Sequence, residues 1–178
     1  EQEERAFEVL DNLELAEIDA RASAGKLFKT TLLKAMLSSP MACLETVNNR
    51  IKRVSKKEDK RFSNDLLELK KLGCALELIN HKRFSKYQRL LELITKSDNG
   101  GFNWKGKDST DRLVIFTERL ETMRFLEKSL KRDLKLKDKA LATLDGSMPD
   151  VDLMNVIEQF GNEKSALRVI VATDVASE

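Results

Sequence analysis

The sequence predicts an α/β protein in which a parallel sheet with flanking helices is preceded by an all-helical segment. Three observations predict it. Apolar residues recur at three- and four-residue spacing as far as about Leu93, the signature of amphipathic helices. A polar stretch at 98–111 (DNGGFNWKGKDSTD), with three glycines, then breaks the pattern. Beyond it, short apolar runs rich in β-branched residues alternate with helical stretches, which implies βαβ units and a parallel sheet. The boundary is placed at 84/85, giving a helical segment over 1–84 and the α/β domain over 85–178.

In the helical segment, Phe7, Leu10, Leu13 and Ile18 suggest a first helix, and Leu27, Leu32, Leu33, Ala35, Met36 and Leu37 a second. Ser38-Ser39-Pro40 marks a boundary, because a serine cap followed by proline at the first helical position is a good helix start. The third helix is expected from Pro40 through Val54. Ser63 or Asn64 can cap a fourth, with Leu66, Leu67, Leu69, Leu72, Leu76 and Ile79 on a wide apolar face, and Ser85 opens a fifth. After the polar stretch, Arg112 to Thr117 (RLVIFT), Ala140 to Leu144 and Arg168 to Ala172 (RVIVA) read as strands. Leu120 to Leu134 and Val151 to Phe160 read as the helices between them.

Composition closes off much chemistry. With 41% hydrophobic and 35% charged residues, this is the composition of a globular protein rather than a disordered chain. Two cysteines, Cys43 and Cys74, make neither a disulfide framework nor a zinc site and are expected to be buried; the single His81 leaves no histidine dyad. No apolar run approaches the roughly 20 residues needed to span a bilayer, and no secretory leader pattern is visible, so the expected location is intracellular and cytoplasmic, with no membrane partner. The formal net charge of +2, from 32 basic and 30 acidic side chains, conceals segregation. The first nineteen residues hold eight acids and one base, whereas Arg50 to Arg61 holds seven bases and two acids, and Arg124 to Lys139 seven bases and three acids. Such clusters suit phosphate binding through counterion release; a solvated helix face is the alternative.

In an open parallel sheet, ligands bind beyond the carboxyl ends of the strands. The residues there are Thr117-Glu118-Arg119, Asp145-Gly146-Ser147 and Thr173-Asp174-Val175-Ala176-Ser177-Glu178. Hydroxyls and backbone N–H groups at strand-to-helix junctions face the positive end of a helix dipole and so favour anions. Taken singly, each also has a structural role open to it: Thr117 as a helix cap, Gly146 as a turn residue, Asp174 as an N-cap. Trp104 and Phe102 can stack on bases or pack the loop on the sheet edge, and Phe116 and Phe125 are expected in the core.

The order of three strings adds a resemblance. DRLVIFTERLETMRFLEKSL, then LATLDGS with Phe160 fourteen residues after Gly146, then RVIVATDVASE, resembles the C-terminal RecA-like domain of a superfamily-two helicase. RLVIFTER is similar to motif IV, LDGS to the following strand-glycine element and RVIVATDVASE to motif V. KYQRLLELI ahead of a loop and motif IV resembles the Swi/Snf-type branch of bacterial DNA translocases, and LLKAMLSSPMACLETVNNRI resembles the helical segment between their two ATPase lobes. The likeness covers about 86–178, with a less specific match before it.

What the resemblance implies is the second lobe of an ATP-driven motor on nucleic acid. Thr117, Gly146, Ser147 and Thr173 would touch the phosphate backbone, with Arg119 adding electrostatic grip; Asp174 and Glu178 would lie on the coupling or ATP side. The implied partners are duplex nucleic acid, DNA in the Swi/Snf-type branch, and a first RecA-like lobe of the same polypeptide, with a protein partner possible through the helical segment. ATP and Mg would be the cofactors of the intact parent protein. The chain departs from the pattern at Leu153, where many members carry arginine, and in reading ATDVASE rather than a glycine-rich motif V. It also has no GxxxxGK[ST] phosphate loop, no Asp-Glu pair after a strand and no arginine-bearing motif VI, so this piece is not expected to hold ATP or hydrolyse it alone. Two other readings stay open: an RNA helicase lobe, for which ATDVA serves equally well, and a non-motor helical partner-binding module joined to a degenerate lobe.

Overall fold

The computed structural model describes residues 1–15, 24–56 and 62–173. The chain divides into two compact units, Glu1–Phe84 and Ser85–Glu178.

The first unit is helical: α1 (Gln2–Asp11), α2 (Ala24–Ser38), α3 (Pro40–Ser55) and α4 (Ser63–Glu77). The break between α2 and α3 follows the sequence closely. Ser39 Oγ accepts from the Ala42 N–H at 3.1 Å, satisfying a backbone donor that the first turn leaves without an intrahelical partner, and Pro40 has no N–H to lose there. Leu32, Ala35 and Met36 of α2, Cys43, Val47 and Val54 of α3, and Leu69, Leu72 and Leu76 of α4 form the buried core, with Leu10 from α1. Arg50 is buried among them and lays its guanidinium 4.6 Å from the centroid of the Phe28 ring.

Several expectations shift here. Leu27, Leu33 and Leu37 belong to α2 but face outward, because the buried stripe passes through Leu32, Ala35 and Met36. Cys43 is buried as expected, but Cys74 is exposed, two residues out of phase with Leu72 and Leu76. Neither Ser63 nor Asn64 caps α4; the buried Phe62 occupies the N-cap position and fixes the start one residue earlier. Ile18 and residues 57–61 of the first basic stretch lie outside the described residues.

The second unit is α/β: α5 (Ser85–Thr95), β1 (Leu113–Thr117), α6 (Leu120–Asp133), β2 (Leu141–Leu144), α7 (Asp150–Gly161) and β3 (Val169–Thr173). A single turn of 3-10 helix at Asp138–Ala140 leads into β2. All three strands are parallel, in the order β1-β3-β2. β3 is central and buried along its whole length, which explains its unbroken apolar sequence VIVA.

The crossovers β1-α6-β2 and β2-α7-β3 run in opposite directions across the sheet. Right-handed connections therefore place the two helices on opposite faces. Met148, Val156 and Phe160 pack against Leu144, Ile170 and Ala172 on one of them. Met123, Leu126 and Leu130 are the buried side of α6. Because α7 covers only the β2 and β3 part of its face, Val114 and Phe116 on β1 stay outside it. Phe116 is 56% exposed, contrary to the core position expected for it. Phe125 does pack, edge-on to the Tyr87 ring at 5.2 Å.

The polar stretch at 98–111 is ordered by its own polar groups. Trp104 is buried and its indole N–H donates to the Asp111 carbonyl at 3.3 Å, while the Asp111 carboxylate accepts from the Gly106 N–H at 2.8 Å. Trp104 thus packs rather than standing ready to stack on a base; Phe102 is exposed. At the amino end of the sheet, Arg112 donates to the Phe160 and Ser109 carbonyls, and Arg168 donates to the Asp108 and Ser165 carbonyls.

Two glycine-to-alanine changes should act in opposite directions. Gly73 is mid-helix in α4, and a Cβ there would sit in ordinary contact, 3.8 Å from Leu44 Cδ1 and 3.9 Å from Val47 Cγ1. Gly73→Ala is expected to stabilise by about 0.5–1 kcal/mol through helix propensity. Gly106 has φ +58 and a Cβ would fall 2.6 Å from the Trp104 ring, so Gly106→Ala is expected to cost at least about 1 kcal/mol. Urea unfolding of both variants checks the pair, and equal signs would contradict this packing.

Candidate functional site at the carboxyl ends of the strands

The register decides what meets at the top of the sheet. Thr117, the last residue of β1, is the direct partner of Thr173, the last of β3. Leu144, the last of β2, is the partner of Ala172, so the Asp145-Gly146-Ser147 turn emerges on the other side of Thr173. Three of the sequence-predicted elements are therefore neighbours along one rim, and two of the predicted hydroxyls stand side by side. Thr117 is half-buried and Thr173 buried. Asp174 and Glu178 lie outside the described residues.

Beyond β1, Arg119 takes the N-cap position of α6 in extended conformation, and no side chain makes a capping bond there. Thr117 is thus not the helix cap. At the N-terminus of α7, Pro149 is the N-cap residue, again without a side-chain bond, while Asp150 and Asp152 occupy the first turn and complement the helix dipole. Leu153 is half-buried on α7.

The turn after β2 is built by its aspartate. The Asp145 carboxylate accepts from the Ser147 N–H at 2.8 Å and from the Ser147 hydroxyl, an arrangement in which a short side chain mimics a backbone turn. The Ser147 hydroxyl bond, then its backbone bond and the positive charge of Arg124, hold the Asp145 carboxyl below its usual range. Gly146 is exposed at the tip. Both donors of Ser147 therefore already serve a carboxylate, and a phosphate could engage them only in place of Asp145. The Asp-x-Ser pattern was the sequence signal for this contact; the strand-end argument singled out the glycine and serine and left the aspartate without a role.

The rim carries more acid than base among the described residues: Glu118, Asp145, Asp150 and Asp152 against Arg119, with Arg124 one turn into α6. No group of three or more His, Cys, Asp or Glu among the described residues could hold a metal ion. These residues do not fit a magnesium–triphosphate site by themselves, since the one hydroxyl and N–H pair displayed on a turn is already taken. What the rim offers is the half-buried Thr117, the buried Thr173 and an exposed glycine turn whose serine donors serve Asp145. Comparison with family models, with curated proteins and with solved structures finds no match to this chain. No helix of the described residues is long and apolar enough to cross a membrane.

Ser147→Ala tests the turn. A carboxyl whose folded value is depressed contributes stability above its unfolded value, and that contribution fades as pH falls through the folded value. Removing the serine hydroxyl should return the Asp145 titration toward the ordinary carboxylate range, followed by carboxyl-carbon NMR. An unchanged Asp145 midpoint would mean that the serine does not hold it.

Proposed function

We propose that residues 85–178 serve as the second, RecA-like lobe of an ATP-driven translocase of the Swi/Snf type, gripping the phosphate backbone of duplex DNA at the strand-end rim. The observation that carries this reading is the pairing of Thr117 with Thr173 at the carboxyl ends of adjacent parallel strands, beside the Gly146 turn. Ligands of open parallel sheets take that position, and the motif resemblance assigns backbone contacts to the same residues. Supporting it further, the α6 N-terminus opens beside Thr117 with no capping side chain, leaving backbone N–H groups for an anion.

In this reading the rim positions the backbone and does not select sequence, because hydroxyl and N–H contacts to phosphate carry no base information. The ATP site would be completed by a first lobe, and the resemblance assigns Asp174 and Glu178 to coupling or to that site. In the resemblance the phosphate loop and the magnesium-binding acids belong to that first lobe, so the chemistry of hydrolysis is assigned to it and to the lobe interface. The contribution of this chain is grip and orientation.

The test is duplex binding by fluorescence anisotropy. Thr117→Val removes one hydroxyl while keeping the side-chain shape, and is expected to weaken binding by about fivefold, the effect of one hydrogen bond worth about 1 kcal/mol. Circular dichroism should be unaltered. Unchanged affinity in a folded variant would remove the rim from the interface, and a clear preference for duplex RNA over duplex DNA would move the assignment to an RNA helicase lobe.

A further inference from the structure

We propose that the outer side of α6 is a second DNA contact, a row of cations that engages the phosphates of one strand below the rim. This deepens the nucleic-acid reading and rests on it. Arg124, Lys128 and Lys131 stand at i, i+4 and i+7 and so share one face of the helix, and Lys135 follows just past the helix end. Arg124, Lys128 and Lys135 are exposed and Lys131 is partly so. At 1.5 Å per residue, Arg124 to Lys131 spans about 10 Å of helix. One strand of duplex DNA presents a phosphate about every 3.4 Å of axis, so this length faces roughly three phosphates.

The local ion pairs leave the row net positive. Glu121 lies 3.9 Å from Arg124 and Glu127 2.8 Å from Lys131, whereas Lys128 and Lys135 have no carboxylate partner among the described residues. Arg132 is outside the row and is held by the Asp133 carboxylate at 2.7 and 2.9 Å. At its upper end the row joins the rim, where the charge of Arg124 acts on Asp145.

Lys135 supplies a second, independent observation. The Leu136 N–H bonds to the Lys131 carbonyl at 2.9 Å and the Lys135 N–H to the Arg132 carbonyl at 3.3 Å, the paired bonds of a Schellman helix end. Lys135 occupies its left-handed position at φ 52. Glycine is the residue the backbone favours there, so lysine is held at the expense of local strain and adds a cation at the foot of the row. Cations gathered on one outward helix face and only partly neutralised are complementary in charge to a polyanion, which is why the occupant assigned is the duplex backbone.

The test measures duplex binding by the full chain over a range of salt concentrations. Lys128→Gln with Lys135→Gln should flatten the slope of log affinity against log salt by about 1.8, since each phosphate contact contributes about 0.9. Lys135→Gly should flatten it by about 0.9 while raising the midpoint of urea unfolding, a combination that a purely structural lysine would not give. Lys52→Gln with Arg53→Gln on α3 should leave the slope unchanged. Equal flattening by the α3 pair, or no flattening by the α6 variants, overturns the row. The two proposals separate cleanly: Thr117→Val reports on the rim by lowering affinity at constant slope, and the α6 variants report on the row by changing the slope. If the unaltered chain does not bind the duplex, both fall.

Discussion

The second unit depends on the double burial of β3. This strand is paired on both edges, covered on both faces and buried at all five positions. Val169 and Val171 turn to one side and Ile170 and Ala172 to the other, and a slip of one residue would exchange the two sets and pull Ile170 and Ala172 out of their contacts with α7. The register is thus fixed by packing far from the rim. The neighbouring positions of Thr117, Thr173 and the Asp145 turn follow from it, which is how an apolar constraint positions polar groups.

The same economy applies to α6. Met123, Leu126 and Leu130 seal the sheet on one side, so the helix cannot rotate without exposing them, and Arg124, Lys128 and Lys131 are fixed outward by default. Its last turn is anchored by a polar contact as well. The buried Tyr87 of α5 donates its hydroxyl to Asp133 at 2.7 Å, and Arg132 holds the same carboxylate. Burial of the ring, then the Asp133 carboxylate, pushes the phenol well above its ordinary range, so it remains a donor throughout the physiological interval. Ionising it would place two negative charges 2.7 Å apart.

Local rules made most elements of the second unit readable. The strands are short β-branched runs and the helices between them have the right period, and both signals lie within a few residues. Ser39-Pro40 was legible for the same reason, since cap and proline act on adjacent backbone groups. What escaped was coverage. Phe116 has the sequence of a core residue and is exposed because α7 reaches only β2 and β3, a fact of topology that no window on β1 contains. Cys74 failed similarly, since period locates a stripe less sharply than packing chooses its centre. At the rim, the hydroxyls were readable from their place after each strand, but their pairing came from register alone. Lys135 gave no signal because a left-handed helix end is normally announced by glycine.

Charge placement decides how the rim and α6 could share one ligand. A polyanion approaching the strand ends meets Glu118, Asp145, Asp150 and Asp152, whose summed field opposes it, while Thr117 and Gly146 act only within hydrogen-bond reach. Attraction over longer distances must therefore come from elsewhere, and within this unit the α6 cations begin at the edge of the rim, at Arg124. Exposed charges act over about a Debye length, near 8 Å at physiological salt, so Arg124 and Lys128 bear on a backbone at the rim while Lys135 requires one lying along the helix. Under the nucleic-acid reading this fixes a direction. The duplex backbone would run down α6 from the rim, drawn by lysines that are indifferent to sequence and set in register by hydroxyls that are equally so.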